Sequence, residues 1–271
     1  MNRKEFKTGS GTIIYWINEI RSDRQTLVFL PGLSATHILF DKQLEYFEDK
    51  YNCLVWDAPG HGESKPFELN FSLEKKAQWL HDILEKENIQ KPILAGQSMG
   101  GYVSQWFIEL YPRECRGFIS IDSCPLKRKY VTGFEIWALK NVGPIYRMYP
   151  WEALKKAGSK GCAETEYGAG VMRRIMDGYD KDSYCSLAAH GYKILAEAYE
   201  SGRAFDITCP ALLLCGDKDK AGSAKRYNIK WQKDTGLPLH WIENAGHNSN
   251  TDRPDVVNKL IEEFAGGIAA Q

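Results

Sequence analysis

Short apolar runs alternate along this chain with segments in which apolar residues recur every three or four positions. The runs are "TLVFL", "CLVW", "ILA", "FISI" and "ALLLC", and each is followed by glycine, proline or aspartate. Between them, spacings such as Val103, Trp106, Phe107 and Leu110 indicate helices with one buried face. Because the runs do not alternate with polar residues, they are typical of strands buried on both faces. The pattern predicts an α/β fold with a mostly parallel, doubly wound sheet of about eight strands.

The first residues have a different pattern. In "EFKTGSGTIIYWINE", two strand-like pieces flank Gly9-Ser10-Gly11. Strand-like pieces joined by a short glycine-containing turn are typical of an antiparallel hairpin. We therefore expect such a hairpin at the N-terminal edge of the sheet.

A long segment in the second half of the chain interrupts the alternation. Residues 125–205 are rich in Tyr, Trp, Lys and Gly, and they contain helical stretches such as "YCSLAAHGYKILAEAY". A single crossover between parallel strands needs far fewer than these roughly eighty residues. We therefore predict a helical cap over 125–205, inserted into a core formed by 1–124 and 206–271.

Composition narrows the possible partners. The 271 residues include 35 Lys and Arg against 35 Asp and Glu, so the formal net charge is zero. This balance gives no general attraction to nucleic acid or to anionic membranes. No window approaches the roughly 18 consecutive apolar residues of a membrane helix, and the first residues lack the apolar core of a signal peptide. We expect a small-molecule substrate, with neither nucleic acid nor membrane as a partner, and the sequence leaves the oligomeric state open.

The cysteines point to a reducing compartment. There are seven, no two form a CxxC pair, and several lie within apolar runs, as Cys215 does in "ALLLCGD". Reduced thiols in a cytoplasmic protein explain this usage best. Neither the cysteines nor the scattered histidines have the spacing of metal ligands, so we expect no metal and no cofactor.

The strongest chemical signal lies where one apolar run meets a helix. Gly96-Gln97-Ser98-Met99-Gly100 separates "ILA" from the helix that contains Val103. A Gly-x-Ser-x-Gly pattern between a strand and a helix is a nucleophile elbow, a strained turn that lifts the serine hydroxyl to the rim of the sheet. Ser98 is therefore the candidate nucleophile, and the N-terminus of the helix behind it favours developing negative charge.

A serine hydroxyl needs a base to take its proton, and the chain offers six histidines. His247, in "NAGHNSN", follows the last predicted strand and precedes the terminal helix, where a loop can bring it beside Ser98. His61, in "PGHGES", is expected to brace its own turn. The remaining histidines fit surface, helix or strand positions. The exception is His190, which lies in the expected cap and is a candidate for substrate binding.

The chain resembles the α/β-hydrolase superfamily, in its compact form with an inserted cap. The resemblance rests on "FLPGLS", "DAPGHGES", "GQSMGG", "GDKD" and "AGHNSNTDRP", which occur in the order of the family and cover nearly the whole chain outside the cap. It implies that His247 is the catalytic base, with Asp252 and Pro254 matching the acidic residue and the proline that follow it.

The resemblance also implies an acid that orients the base. The usual family position, the second aspartate of a G-x-x-D loop, falls on Asp219, which gives the triad order Ser98, Asp219, His247. The sequence keeps two alternatives open: Asp217 in the same loop, and Asp122, which ends the strand after the nucleophile helix as the acid does in some relatives. In each case the carboxylate fixes the imidazole tautomer and stabilises the imidazolium.

Two backbone N–H groups are expected to bind the oxyanion of a tetrahedral intermediate. One is that of Met99, directly after the nucleophile. The resemblance places the second in the loop after "TLVFL", on Leu33. This loop has Pro31-Gly32 where relatives often have His-Gly, a change that spares a main-chain donor.

These residues predict a cofactor-independent serine hydrolase that cleaves a small or medium carboxylic ester through an acyl-enzyme. Trp137, Tyr146 and His190 are candidates for substrate binding, although cap aromatics equally fit the cap's own core. Hydrolysis of a lactone, a thioester or a carbon–carbon bond needs the same triad. Two further hypotheses remain. One is a perhydrolase or cofactor-free haloperoxidase, in which peroxide attacks the acyl-enzyme. The other is a non-catalytic ligand receptor.

Overall fold

The computed structural model describes residues 1–269, so 270 and 271, the end of the expected core range, lie outside the described residues. The described residues form one eight-stranded sheet. Its strands are β1 (Asn2–Thr8), β2 (Gly11–Ile17), β3 (Thr26–Leu30), β4 (Asn52–Asp57), β5 (Ile93–Gln97), β6 (Gly117–Ile121), β7 (Ala211–Gly216) and β8 (Leu239–Ile242).

The strands are arranged in the order β1-β2-β4-β3-β5-β6-β7-β8. β1 and β2 form an antiparallel hairpin, and β2 pairs antiparallel with β4. All pairings from β4 through β8 are parallel. The predicted fold class, including the N-terminal antiparallel hairpin, is therefore confirmed. The carboxyl ends of the six parallel strands meet at one edge of the sheet.

Helices cover both faces of the sheet because the strands are apolar on both sides. The helices outside the β6–β7 segment are α1 (Asp41–Phe47), α2 (Leu73–Lys86), α3 (Met99–Leu110), α8 (Ala224–Thr235), α9 (Ser249–Asp252) and α10 (Pro254–Ala269). Val28 and Leu30 pack in one core cluster with helices α2, α3 and α8, whereas Leu27 and Phe29 pack in the other with α1 and α10. Successive residues of a strand point to opposite faces, which divides the run "TLVFL" between the two clusters.

Four helices and a short 3-10 turn lie between β6 and β7. The helices are α4 (Gly133–Met148), α5 (Trp151–Lys160), α6 (Glu166–Asp177) and α7 (Lys181–Glu200). Thr132, Thr165 and Asp180 cap three of their N-termini by accepting hydrogen bonds from backbone N–H groups. α4 packs along α7, and α5 along α6. After α7, the chain returns to β7 through an irregular segment, residues 201–210.

Within residues 1–269, no helix combines the length and the apolar character needed to cross a bilayer.

Candidate active site

Ser98 occupies a sharp turn between β5 and α3. Its backbone has φ 48° and ψ −115°, a conformation that non-glycine residues rarely adopt. The turn requires glycine at position 100, because a Cβ there would lie 1.8 Å from the carbonyl oxygen of Leu30. The absence of that side chain lets α3 start directly against β3. The turn therefore holds the Ser98 hydroxyl at the carboxyl edge of the parallel strands, at the N-terminus of a helix.

His247 lies in a loop of residues 243–248, between β8 and α9, which we name the histidine loop. Gln97, the residue before Ser98, donates through Nε2 to the His247 carbonyl oxygen at 2.7 Å and to Asn248 Oδ1 at 3.1 Å. Asp252 accepts from the Gly246 N–H at 2.8 Å. These contacts fasten the histidine loop to the nucleophile strand on one side and to α9 on the other.

Ser98, His247 and Asp219 form a continuous hydrogen-bonded chain. His247 Nε2 is 2.9 Å from Ser98 Oγ, and His247 Nδ1 is 3.0 Å from Asp219 Oδ2. The other oxygen of Asp219 accepts from the Ala221 N–H at 2.7 Å, and the carboxylate side chain has no exposed surface. The three residues follow β5, β7 and β8, so the parallel topology brings them together from distant positions in the sequence.

The two alternative acids have other partners. Asp122 accepts from the Gly216 N–H through one oxygen and from the Ser249 N–H through the other, both at 2.8 Å. Burial, followed by the negative charge of Asp219, raises the pKa of Asp122 to about 7. Asp217 is exposed and accepts from the Ala245 N–H at 3.2 Å. Of the three carboxylates, Asp219 is thus the one bonded to the His247 ring.

The surroundings of His247 favour its protonated form. Burial opposes a positive charge on the imidazole, but the hydrogen bond and the charge of Asp219, together with the charge of Asp122, outweigh it. As a result the pKa of His247 is raised above its ordinary value. A base of this kind accepts the serine proton more readily than a free imidazole does.

The N–H groups of Leu33 and Met99 are free beside the serine. Within residues 1–269, neither donates to another protein group. Leu33 follows Gly32, where a Cβ would lie 3.1 Å from the Ser98 Cβ, so the two loops are in close contact. Both residues line the same cavity as Ser98. Unpaired main-chain donors at this place suit an oxyanion.

A cavity of about 810 Å³ opens over Ser98 and His247. α4, α5 and α7 provide much of its wall, which consists mostly of apolar residues and tyrosines. The residues that make the wall apolar or aromatic include Leu139, Val142, Leu154, Met172, Tyr146 and Tyr192. Among the described residues that line it there is no lysine or arginine, and its carboxylates are Asp122 and Glu135. Glu135 is paired with Arg226, which does not line the cavity.

The family follows from comparison with known proteins. A model of the alpha/beta hydrolase fold matches residues 25–254. This chain belongs to the α/β-hydrolase family. It is 22% identical over 260 residues to 3-oxoadipate enol-lactonase 2 of Acinetobacter baylyi, covering 89% of each chain, and 26% identical over 249 residues to enol-lactonase 1 of that organism, covering 89% of this chain and 88% of the relative.

Solved structures agree on the fold of this α/β-hydrolase. A thermophilic esterase from Thermogutta terrifontis superposes with a TM-score of 0.79 at 19% identity, with 99% of each chain covered. The family model is that of the alpha/beta hydrolases and the two Acinetobacter relatives are named as lactonases, so the chain is a hydrolase; which bond it cleaves is a separate question.

Of the three expected substrate-binding residues, Tyr146 lines the cavity and the other two do not. The Trp137 side chain is 60% exposed and stacks on Phe134, with ring centroids 5.8 Å apart. It lies on the outer face of α4, because Ile136 and Leu139 occupy the inner side. His190, on α7, packs edge-on against Phe71 at 4.6 Å between centroids, away from the cavity of the hydrolase. Trp137 and His190 therefore lie outside the lining of this cavity, and their expected role in substrate binding gains no support from it.

Other histidines have structural contacts. His61 is buried and its Nδ1 lies 3.0 Å from the carbonyl oxygen of Pro59, which fits its expected role as a brace. His37 Nδ1 lies 2.9 Å from Asp57 Oδ1, and the His37 ring stacks on the ring of Trp16. Both histidines make their contacts in the loops of this hydrolase around β4, and neither is among the described residues that line the cavity over Ser98.

Two clusters within residues 1–269 have enough ligand-type atoms close together for a metal ion: His81, Asp82 and Glu85 on α2, and the buried group of Asp122, Cys215 and Asp219, which shares Asp219 with the triad. In the buried cluster, backbone N–H groups and His247 already occupy the carboxylate oxygens. Burial raises the pKa of Cys215, so its thiol stays protonated. The groups of that cluster therefore bond to the protein itself.

Sequence reasoning missed the positioning roles of Gln97 and Asp252. Asp252 accepts not only from Gly246 but also from the Glu164 N–H and from the Thr165 N–H and hydroxyl, at 2.8–2.9 Å. One buried carboxylate thus joins the histidine loop to the start of α6. The signal available was Asp252 itself, which was read only as part of a family motif.

Proposed function

We propose that this hydrolase cleaves small or medium, uncharged carboxylic esters through a Ser98–His247–Asp219 triad and an acyl-enzyme. The observation that carries the proposal is the 2.9 Å contact between His247 Nε2 and Ser98 Oγ at the base of the apolar cavity. This is the distance at which a general base takes a proton from a nucleophile.

In the first half of the reaction, Ser98 Oγ attacks the ester carbonyl carbon while its proton passes to His247 Nε2. The carbonyl oxygen becomes negative and is held by the N–H groups of Leu33 and Met99. Asp219 keeps the Nδ1–H of His247 pointing toward itself and stabilises the imidazolium. His247 then gives its proton to the departing alcohol, and the acyl group remains on Ser98.

In the second half, water replaces the alcohol. His247 takes a proton from the water as it attacks the acyl carbon, and the same two N–H groups bind the second oxyanion. Collapse of this intermediate returns the proton to Ser98 and releases the carboxylic acid. The cycle uses no group beyond the chain and water.

The preference for an uncharged acyl group follows from the cavity wall. Adipate and succinate derivatives, for which several relatives are named, carry carboxylates. A carboxylate buried without a cationic partner is strongly disfavoured. Because lysine and arginine are missing among the described residues that line this cavity, such substrates find no permanently charged cation here, and His247 must be neutral to act as the base.

A neutral lactone is the second candidate substrate. It is favoured by the two enol-lactonases that match most of the chain. A lactone is an internal ester, so the same triad opens it without further groups.

The seven cysteines are free thiols, five of them buried. This supports the cytoplasm, where thiols are kept reduced, as the compartment of the hydrolase.

The pH profile tests the role of His247. Only the neutral imidazole acts as a base, so kcat/KM should fall tenfold per pH unit below the pKa of His247 in the free enzyme. Since that pKa is raised, the acid limb should bend above about 6.5. The measurement is kcat/KM for p-nitrophenyl hexanoate between about pH 5 and about pH 9, a range that brackets the ordinary histidine pKa. A bend below the ordinary histidine value would contradict the electrostatic argument.

A matched pair of esters tests the substrate class. p-Nitrophenyl hexanoate and the mono-p-nitrophenyl ester of adipic acid have the same acyl length and leaving group but differ by one terminal carboxylate. We expect kcat/KM for the hexanoate to be higher by at least about 100-fold, because the cavity offers the carboxylate no cation.

The control for this pair is the spontaneous hydrolysis of each ester, subtracted at the same pH. Equal kcat/KM values for the two esters would contradict the argument from the cavity wall. Adding δ-caprolactone to the series separates the two candidate functions, since a lactonase would turn it over with a higher kcat/KM than any of the esters.

A further inference from the structure

Helix α4 is apolar on most of its circumference, but only two of its three sides are covered. One side packs against α7, where a Cβ on Gly143 would lie 3.0 Å from the Cβ of Ala189. A second side, with Leu139 and Val142, lines the cavity over Ser98. Within residues 1–269, the third side faces solvent. Because a helix that is apolar all round is normally buried all round, this third side lacks the partner that its sequence predicts.

The exposed side of α4 is a straight row of residues, which we name the outer stripe. At about 100° per residue, its members fall within an arc of about 80°, and they extend along about 21 Å of the helix. Its four apolar side chains are between 53% and 83% exposed, and its one polar residue is also exposed. None of its members is charged. The outer stripe consists of Phe134, Trp137, Asn141, Ile145 and Met148.

The size of this surface suits a contact between two protein chains. Together with the neighbouring Tyr149, which is also exposed, the outer stripe presents about 600 Å². Monomeric proteins rarely expose an apolar patch larger than a few hundred Å². Two such surfaces face to face would bury about 1,200 Å², which is the lower limit for specific protein–protein interfaces. An interface of this size is expected to dissociate in the micromolar range.

The spacing of the outer stripe is the same from either end. Its members are separated by three, four, four and three positions, with Asn141 at the centre. If a second α4 runs antiparallel about a two-fold axis at Asn141, Phe134 faces Met148 of the second copy, and sulfur contacts with aromatic rings are favourable. Trp137 likewise faces Ile145 of the second copy. A two-fold contact must be complementary to itself, and this symmetric row meets that requirement.

The charges of α4 argue against a lipid surface as the occupant. Helices that lie on a membrane oppose their apolar face with a polar face rich in lysine and arginine. The cations of α4 are instead engaged with α7: Lys140 pairs with Glu200 at 2.6 Å, and Arg147 donates to Ser186 Oγ at 3.3 Å. The remaining sides of the helix are packed against α7 or line the cavity, so the outer stripe fits a protein partner.

We propose that this hydrolase forms a two-fold symmetric dimer in which two α4 helices pack antiparallel through their outer stripes, with Asn141 on the axis. The association does not depend on the proposed ester substrate. Asn141 Nδ2 donates to the Trp137 carbonyl oxygen at 2.8 Å, and its second N–H and its Oδ1 can bond to the same amide of the second copy. A single polar residue within an apolar helix pair fixes the register of the pair.

The dimer would also complete the wall of the active-site cavity. Ile145 belongs to the outer stripe and lines the cavity as well. In the antiparallel pair, the Trp137 ring of the second copy packs on Ile145 and covers it from the solvent side. Each chain therefore closes part of the cavity of the other.

Sedimentation equilibrium from about 1 µM to about 200 µM spans the affinity expected for such an interface. At the upper end, the wild type should reach twice the 30.8 kDa of one chain. Trp137→Glu should sediment as one chain throughout, because the dimer would bury two carboxylates without cations. Its far-UV circular dichroism should match that of the wild type, since this side chain is exposed in the single chain.

The matched control is Ile229→Glu, which adds the same charge at an apolar position on α8 that is 53% exposed. This variant should dimerise as the wild type does. A single-chain mass for the wild type at every concentration, or a dimer that survives Trp137→Glu, would overturn the proposal. In the first case, co-flotation of the wild type with phosphatidylcholine vesicles would assign the outer stripe to a lipid surface instead.

Cysteine crosslinking tests the position of the axis. Under mild oxidation, Asn141→Cys should give a covalent dimer on non-reducing gels, because the introduced thiols of the two copies meet on the axis. Lys140→Cys, the neighbouring change on the side of α7, should give no more covalent dimer than the wild type, whose seven free thiols set the background. Equal crosslinking of the two variants would contradict the antiparallel pairing about Asn141.

Discussion

Replacement of Ser98 with alanine is expected to lower kcat for p-nitrophenyl hexanoate by at least about 10⁴-fold. The variant keeps the Cβ and loses only Oγ, the atom 2.9 Å from His247 Nε2, so no acyl-enzyme can form. It should also lose labelling by a fluorophosphonate probe, which reacts with an activated serine. The strained backbone at position 98 is a property of the turn and not of the hydroxyl, so Tm should change by no more than about 2 °C.

The matched control for this prediction is Ser104→Ala. Ser104 is also buried on α3, but its hydroxyl donates to the Gly100 carbonyl oxygen at 3.1 Å, inside the helix. The control should keep kcat within about threefold of the wild type while losing a small part of its stability. If Ser98→Ala hydrolyses the ester as fast as Ser104→Ala, Ser98 is not the nucleophile.

The sequence predicted those parts of the structure that local pattern determines. The change from a continuous apolar run at "ILA" to a helical period beginning near Val103 located the turn at Ser98. Parallel strands end at a common edge, so residues just after β5, β7 and β8 had to lie near one another. The same argument predicted that His247 and Asp219 lie at the edge of the sheet where Ser98 lies.

The directions of the side chains on α4 could not be predicted in this way. The helix "GFEIWALKNVGPIYRM" is apolar on most of its circumference, so its periodicity does not select the inner face. Packing along α7 settles the choice by turning Leu139 and Val142 to the cavity and leaving Trp137 in solvent. The outward position of Trp137 therefore depends on a tertiary contact that the local sequence does not reveal.

The choice between Asp219 and Asp122 was open for a related reason. Both aspartates follow buried strands, and both are buried in the structure. What separates them is the set of donors around each carboxylate: His247 and Ala221 at Asp219, Gly216 and Ser249 at Asp122. Such a set is a property of loops that meet in space, so spacing along the chain does not reveal it.

Asparagine substitution at these two positions should therefore have different effects. Asp219→Asn is expected to lower kcat by about 10³- to 10⁴-fold with little change in Tm, because the amide neither holds the imidazole tautomer nor stabilises the imidazolium. It should also move the acid limb of the pH profile to lower pH, since the Asp219 charge raises the pKa of His247.

Asp122→Asn should mainly cost stability. An amide can accept only one of the two backbone N–H bonds now made to Asp122, and its NH₂ group then faces a donor. We expect a Tm lower by several degrees and a kcat within about tenfold of the wild type. Measuring kcat, the pH profile and Tm for both variants decides the assignment. Loss of activity by orders of magnitude in Asp122→Asn alone, with a stable fold, would make Asp122 the acid and displace Asp219 from the triad.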